Sequence, residues 1–329
     1  LGICDKNGRV KDKQQDKYKQ INRYVELVSS WFSKLDSSKT YKIVDMGSGK
    51  GYLTFALFDY LTNTLKHKIN MVGVELKSEL VTLCREISEQ CGFKGLKFIS
   101  KDINDFRTNE IDVLIALHAC DTATDSAIYK GIKCKANLIL CAPCCHKQVR
   151  KDMTRDSKFN SITKHGIFYE RQAEMLTDTL RALIMEKEGY KTKAFEFISN
   201  EHTRKNIMLV GKKIPFVNEN MSMRMALKTI NNKKLGVLIV KNVKGDTIGI
   251  ITDGDLKRIA QKYKKFDNLK LKRVMKKNPI SINKDTLAAY ALSIMNTKKI
   301  TSLCIHKNNK KKKTIGIIHM HDILKANIN

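Results

Sequence analysis

The chain has 329 residues, 42% of them apolar, enough for two ordinary packed domains. It has no run of about 18 uncharged apolar residues, which excludes a membrane-spanning helix. The formal net charge of +29 favours an anionic partner such as RNA, but Lys, Asn and Ile are abundant throughout and the charge is not gathered into one stripe. A biased source composition therefore stays open as its cause. The first residue is Leu1 and no charged-then-apolar leader follows it, so an N-terminally incomplete fragment is expected. Nine cysteines show no regular pairing, and the dense group is Cys141, Cys144 and Cys145. A reducing, cytoplasmic setting fits this better than a secreted disulfide framework.

Residues 1–13 are polar and expected to lack fixed structure. From Gln14 to Leu35, Ile21, Tyr24, Val25, Leu27, Val28, Trp31 and Phe32 recur at helical spacing, predicting a helix over the edge of a sheet. Its polar side carries Lys17, Lys19, Gln20 and Arg23, read as a solvated face with substrate contact as the alternative. Tyr41–Leu57, YKIVDMGSGKGYLTFAL, then reads as buried strand, glycine-rich turn and helix. Gly47, Gly49 and Gly51 let the backbone bend sharply and approach a ligand where a Cβ would collide. The next apolar run, Asn70–Val74, ends in Glu75, an acid placed at a strand tip to accept from ribose hydroxyls. A dinucleotide site would want G-x-G-x-x-G, with the third glycine at position 52. That position is Tyr52, which disfavours NAD.

Lys77–Cys91 reads as a helix and Leu96–Ser100 as a third strand, followed by Asp102, an acid able to accept from an adenine amine or to cap the turn. Ile111–Leu117 is a fourth strand running into HACDTATD. There His118, Cys120, Asp121, Thr122 and Asp125 stand past the carboxyl end of a central strand, where open α/β sheets place ligands. Asp121 or Thr122 would cap the next helix; His118 has no such structural reason to be there. The fifth strand, Ala136–Cys141, ends in APCCHKQ, bringing Cys144, Cys145, His146 and Lys147 to the same sheet edge. His118, Cys120, Cys144 and His146 invite a zinc reading, but their spacing matches no standard zinc ribbon, so no metal is assigned and contact with substrate is preferred.

Residues 150–165 read as a loop or lid. Phe168–Lys187 reads as a helix whose inward stripe includes Met175, Leu176, Leu180, Leu183 and Ile184. Thr192–Ser199 and Asn206–Val210 read as two closing strands joined by a short hairpin, hence antiparallel. The order gives a seven-stranded sheet.

This arrangement resembles the class I S-adenosylmethionine-dependent methyltransferase fold, a Rossmann-like α/β sheet, and DMGSGKG is similar to that family's D/E-x-G-x-G-x-G. ALHACDTATD and CAPCCHKQ together resemble a methyltransferase-domain family that includes the methyltransferase-like 25 proteins and is distantly similar to the tRNA methylase Trm13. The resemblance covers about residues 17–212. It implies S-adenosyl-L-methionine as cofactor, with Asp45, Gly47, Gly49 and Gly51 around its methionine end, Glu75 on the ribose and Asp102 on the adenine. His118 is then the candidate base or orienter, with Asp121 and His146 next, and Cys120, Cys144, Cys145 and Lys147 face the acceptor. RNA is the favoured acceptor.

From about Ile214 a repeat appears. MALKTINNKKLGVLIV (225–240) aligns with YALSIMNTKKITSLCI (290–305) at an offset of 65, and TIGIITDGDL (247–256) with TIGIIHMHDI (314–323) at an offset of 67. Each copy resembles a cystathionine-β-synthase (CBS) domain of α+β type. GIITDGDLKR, VMKKNPISI, DTLAAYAL and GIIHMHDILKA resemble the CBS pair that closes arabinose-5-phosphate isomerases of the KpsF/KdsD type. That resemblance implies an adenosine nucleotide held by Thr252 and Asp255 in one half-site and Asp322 in the other, where His319 replaces the expected Thr. Helix capping is the bland alternative for both acids. Lys310–Lys313 reads as a solvated hairpin tip.

The expected organisation is an unstructured start (1–13), a methyltransferase domain (14–212) and CBS domains at 213–268 and 269–329, with a CBS-mediated homodimer open. The alternative reading takes the CBS pair as the regulatory portion of an arabinose-5-phosphate isomerase lacking its sugar-isomerase domain. The abrupt join of NIMLVGKK to IPFVNEN would then reflect gene fusion or misassembly of two neighbouring genes.

Overall fold

A computed structural model describes residues 2–5, 7–32, 38–153, 164–196, 207–233, 236–263, 265–306 and 313–325. The chain divides into two compact units, Leu1–Met185 with Thr192–Lys212, and Glu186–Lys191 with Lys213–Asn329.

The first unit is built on a seven-stranded sheet of order β3-β2-β1-β4-β5-β7-β6. Its strands are β1 (Thr40–Met46), β2 (Lys68–Glu75), β3 (Leu96–Ser100), β4 (Val113–Ala116), β5 (Leu138–Cys141), β6 (Tyr190–Glu196) and β7 (Ile207–Lys213). β1 to β5 pair in parallel, and β7 runs antiparallel to β5. The short central strands VLIA and LILC are buried at every position, as a parallel sheet covered on both faces requires. α1 (Gln15–Phe32) turns Tyr24, Val28 and Phe32 into the core, as its periodicity predicts. α2 (Tyr52–Asp59) follows the glycine turn and widens into a π turn at Tyr60–Thr64. α3 (Ser78–Gln90), α4 (Thr122–Lys133) and α5 (Lys147–Asp152) complete the crossovers. Strand order reverses between β1 and β4, so the loops leaving β1, β4 and β5 emerge side by side at one carboxyl edge. Open α/β sheets bind ligands at such an edge.

Three expectations are corrected here. The start is not without structure: Cys4 and Val10 bridge, and Asp5 Oδ1 accepts from the amides of Asn7 and Arg9 at 2.9 Å each, closing a local turn. α4 begins after Asp121, but no side chain caps it. The third concerns α6 (Gly166–Lys187), which turns the opposite way from its apolar pattern. Its buried residues are Ala173, Thr177, Asp178, Arg181 and Met185, while Met175, Leu176, Leu180, Leu183 and Ile184 are exposed. The buried face is won by an ion-pair network, described below. The expected lid falls partly on α5 and partly outside the described residues, as do the connection of β6 to β7 and Lys310–Lys312.

The second unit repeats one plan. In the first copy, strand Phe216–Asn218, helix Met223–Lys233, strand Val237–Lys241, strand Thr247–Thr252 and helix Asp253–Lys262 follow in order. The second copy has strand Ser281–Asn283, helix Ala288–Lys298, strand Ser302–His306, strand Thr314–His319 and helix Met320–Lys325. In each, the leading strand pairs in parallel with the strand after the helix, and the two strands that follow that helix pair antiparallel. Ile214, Val237, Ile239, Ile250, Cys304 and Ile317 pack into one core drawn from both copies, so the repeats share a hydrophobic interior.

Candidate functional site

The glycine turn after β1 is fastened to the tip of β2. Gly47 and Ser48 donate to the Val74 carbonyl at 2.8 and 3.1 Å, and Gly49 N donates to Glu75 Oε2 at 2.9 Å. The other Glu75 oxygen accepts from Leu76 and Lys77 amides. Gly47, at φ +77°, leaves so little room that a Cβ would sit 3.1 Å from Ala119 N; the turn therefore lies directly against the loop leaving β4. Gly49, at φ +56°, is the opposite case: a Cβ there would meet nothing within 4 Å. That is open space at the turn, whose own amides are taken up by Val74, Glu75 and Ser48. Ser48 Oγ is buried against Gly73 of β2 with no hydrogen-bond partner among the described residues, so a polar atom is left unsatisfied at the turn.

Asp45, at the end of β1, is buried and its Oδ2 accepts from Thr54 Oγ1 at 2.6 Å. Loss of water lifts its carboxyl to about 6; the Thr54 bond opposes the rise and the nearby Glu75 charge adds to it. Asp102 stands just past β3, beside the Glu75 tip, because Lys101 N bonds the Glu75 carbonyl. It is exposed, and its Oδ1 accepts from Asn104 N at 2.7 Å, so it caps its turn as well.

His118 follows β4 and makes no hydrogen bond to the described residues. Its ring reaches solvent, yet the protein around it strips enough water to lower its pKa; the Lys17 cation adds to this and Glu75 opposes it. A neutral imidazole on the loop that packs against Gly47 can accept a proton. Lys17 does not stand on a simply solvated face. It lies 3.6 Å over the Tyr52 ring, beside the start of α2, and its charge is felt at His118. A signal for it existed only in its register on α1, one face away from the core stripe.

The two cysteine loops converge. Cys120 Sγ lies 3.1 Å from Cys144 Sγ, which lies 3.7 Å from Cys145 Sγ, and all three are within 4.8 Å of one another. Burial first, then hydrogen bonding to Cys120, pushes the Cys144 thiol up to about 12. The His118–Cys120–Cys144–His146 quartet does not form: neither histidine joins this group. His146 instead turns inward, 3% exposed, with Nε2 3.2 Å from Asp178 Oδ1. Lys147 is exposed beyond it. Asp121 has φ 53° and ψ −124°, a strained conformation for a residue with a Cβ, and its Oδ1 accepts from Gln148 N at 3.3 Å.

Behind both loops lies a network that the sequence reading missed. Arg181, 3% exposed, donates to Asp125 at 2.7 and 3.2 Å, to Asp178 at 3.2 Å and to the Asp121 carbonyl at 2.9 Å. Burial works against its charge, but the two carboxylates outweigh it and hold the guanidinium cationic. The available signal was an acid and a base at i, i+3, aligned with Ala173 and Thr177 rather than with the leucines.

In the second unit a cavity of about 580 Å³ is lined by Thr252, Asp255 and Arg258 from the first copy and by Thr301, Ser302 and His319 from the second. Thr252 and Asp255 form a capping box: Thr252 N and Oγ1 donate to Asp255 Oδ2 at 2.9 and 2.7 Å, and Asp255 N donates to Thr252 Oγ1. Burial alone would raise the Asp255 pKa, but bonds from Thr252 and Arg258 bring it below the usual carboxylate range. Asp322 does not line this cavity; it pairs with Lys191 and accepts from His319 N at 3.1 Å. Lys313 reaches Asp246 at 2.9 Å and is not simply solvated. Another cavity, of about 600 Å³, opens beside Arg85, Phe93 and Phe98, and no residue of the glycine turn lines it.

Residues 16–152 match the model of a methyltransferase domain family, and residues 205–262 and 271–329 match that of the CBS domain. The chain carries a methyltransferase domain followed by a CBS pair. It is similar to an uncharacterized protein of Rickettsia prowazekii, 35% identical over 163 residues, covering 46% of this chain and 49% of that one. It is also similar to an arabinose 5-phosphate isomerase of Yersinia pestis, 34% identical over 123 residues in the CBS region, covering 37% of each chain. The chain thus spans half or less of the length of these relatives. Among solved structures, a CBS-domain containing protein from Agrobacterium tumefaciens shares 23% identity over 36% of this chain and 87% of that one, with a TM-score of 0.33. α6, with Asp178 and Arg181, lies between the segments matched by the two family models.

Proposed function

We propose that the first unit transfers a methyl group from S-adenosylmethionine and that RNA is the acceptor. The observation that carries this reading is the glycine turn: open space at Gly49 at a positive φ, and the buried Ser48 hydroxyl with no hydrogen-bond partner among the described residues. Gly47, Gly49, Gly51 and the Asp45 carboxylate would hold the methionine end, Glu75 the ribose and Asp102 the adenine. Bound there, the cofactor supplies an electrophilic methyl, so the chain's task is alignment of a nucleophile and at most removal of one proton. His118, uncharged at neutral pH and next to the turn, is the base; Asp121 orients its loop, and His146 acts from behind the site. The net charge of +29 supports an RNA acceptor.

Calorimetry on the full chain tests this. S-adenosylmethionine should bind, binding should vanish in Gly49→Arg, and it should persist in Thr252→Val, a change within the second unit. No binding, or binding that survives Gly49→Arg, defeats the reading. A tritiated-methyl screen over RNA, protein and small-molecule fractions then tests the acceptor; label confined to protein or small molecules would remove RNA.

For the CBS pair, the cavity drawn from both repeats supports an adenosine nucleotide bound at Thr252 and Asp255. The isomerase match favours a second reading, in which this pair is a sensor of the kind attached to sugar-phosphate isomerases. Conversion of arabinose 5-phosphate by the full chain is expected to be absent, since the isomerase match lies in the CBS region.

A further inference from the structure

We propose that Cys120, Cys144 and Cys145 bind one thiophilic divalent cation of the zinc type through three thiolates, leaving a fourth position for water or substrate. Three sulfurs, drawn from loops 24 residues apart, lie within 4.8 Å of one another. A tetrahedral zinc with bonds of about 2.3 Å needs its sulfurs roughly 3.8 Å apart, and the observed separations of 3.1 and 3.7 Å need only small side-chain adjustment. Cys120 is exposed, so the site opens to solvent as zinc sites with a free position do.

The scaffold behind the thiols also fits a metal centre. Arg181 bonds the carbonyl of Asp121, the residue after Cys120, and Asp178, which holds His146, the residue after Cys145. One buried guanidinium thus anchors both cysteine loops, and Asp121 to Gln148 N ties the loops to each other across the front. Fixed outer partners of this kind orient metal ligands. The balance is simple: one M²⁺ replaces three thiol protons, which go to solvent, with no change of oxidation state. The loop carrying Cys120 also packs on Gly47, which puts the cation beside the glycine turn. The inference does not depend on methyl transfer, because metal binding is read without any cofactor.

The test is elemental analysis and Co²⁺ titration of the full chain purified under reductant. We expect one equivalent of zinc, and on substitution by Co²⁺ a sulfur-to-metal charge-transfer band with tetrahedral d–d bands, displaced by zinc. Cys120→Ser, Cys144→Ser and Cys145→Ser should each weaken binding by about a hundredfold or more, whereas Cys4→Ser and Cys91→Ser, both exposed elsewhere, should leave it unchanged. If a serine variant fails to fold, alkylation of the parent decides: zinc should shield Cys120, Cys144 and Cys145 but not Cys91. Absence of stoichiometric metal, a band unaffected by Cys120→Ser, or a Cys120–Cys144 disulfide in the reduced preparation would overturn the proposal.

Discussion

The lifted pKa of Asp45 has a consequence for stability and, under the proposed cofactor reading, one for binding. Its carboxyl rises from 3.8 to about 6 because burial disfavours the charged form. The folded state therefore holds this proton more tightly than the unfolded chain does. The associated stability is present below the unfolded value and is lost as pH rises through about 6. Asp45→Asn keeps a polar group against Thr54 without the charge. Its stability relative to the parent should improve between pH 4 and pH 8, by at most about 3 kcal/mol, measured as unfolding curves across that range; parallel curves would contradict the assignment. The same ionisation should set affinity for a cationic methionine end, so S-adenosylmethionine binding should strengthen from pH 5 to 7 in the parent and stay flat in the variant.

At the scale of the element, α6 shows how far an apolar stripe can mislead. Leu180, Leu183 and Ile184 recur at helical spacing, yet the packed face belongs to Asp178 and Arg181. Removing one partner of a buried pair leaves the others uncompensated, so Arg181→Met should cost about 3–5 kcal/mol, somewhat less in so far as Asp125 is half-exposed. Leu183→Lys, on the exposed face, should stay within about 0.5 kcal/mol of the parent. Trp31 is the single tryptophan and packs against the first unit's core, so its fluorescence in urea reports that unit. Equal losses from the two substitutions would mean the helix face is assigned wrongly. The helix itself, the strands around it and the glycine turn were all legible from period and composition. The sense in which the helix faces was not, because periodicity marks which residues share a face and says nothing of what lies opposite.

At the scale of the whole molecule, the two units should bind separately. Adenosine monophosphate titrated into the full chain should bind the cavity shared by the CBS repeats, with Thr252→Val weakening it about tenfold and Gly49→Arg leaving it unchanged. Indifference to Thr252→Val would place any nucleotide elsewhere. The paired architecture was visible in the sequence because each copy preserves the order of its elements and the shared core draws matching strand positions, Ile239 with Cys304 and Ile250 with Ile317.

The sequence by itself determined the glycine turn with Glu75 at the next strand tip, the count of seven strands and the tandem repeat. Each rests on local periodicity, turn chemistry or self-similarity, which neighbouring residues carry among themselves. Only the tertiary structure decided that His146 faces inward to Asp178, that Lys17 reaches the mouth over Tyr52, and that three thiols meet in front of one buried arginine. Those outcomes join residues dozens of positions apart, and they are set by desolvation and ion pairing across packed elements. Beyond the i, i+3 spacing of Asp178 and Arg181, no pattern along the chain encodes which charge will find which partner.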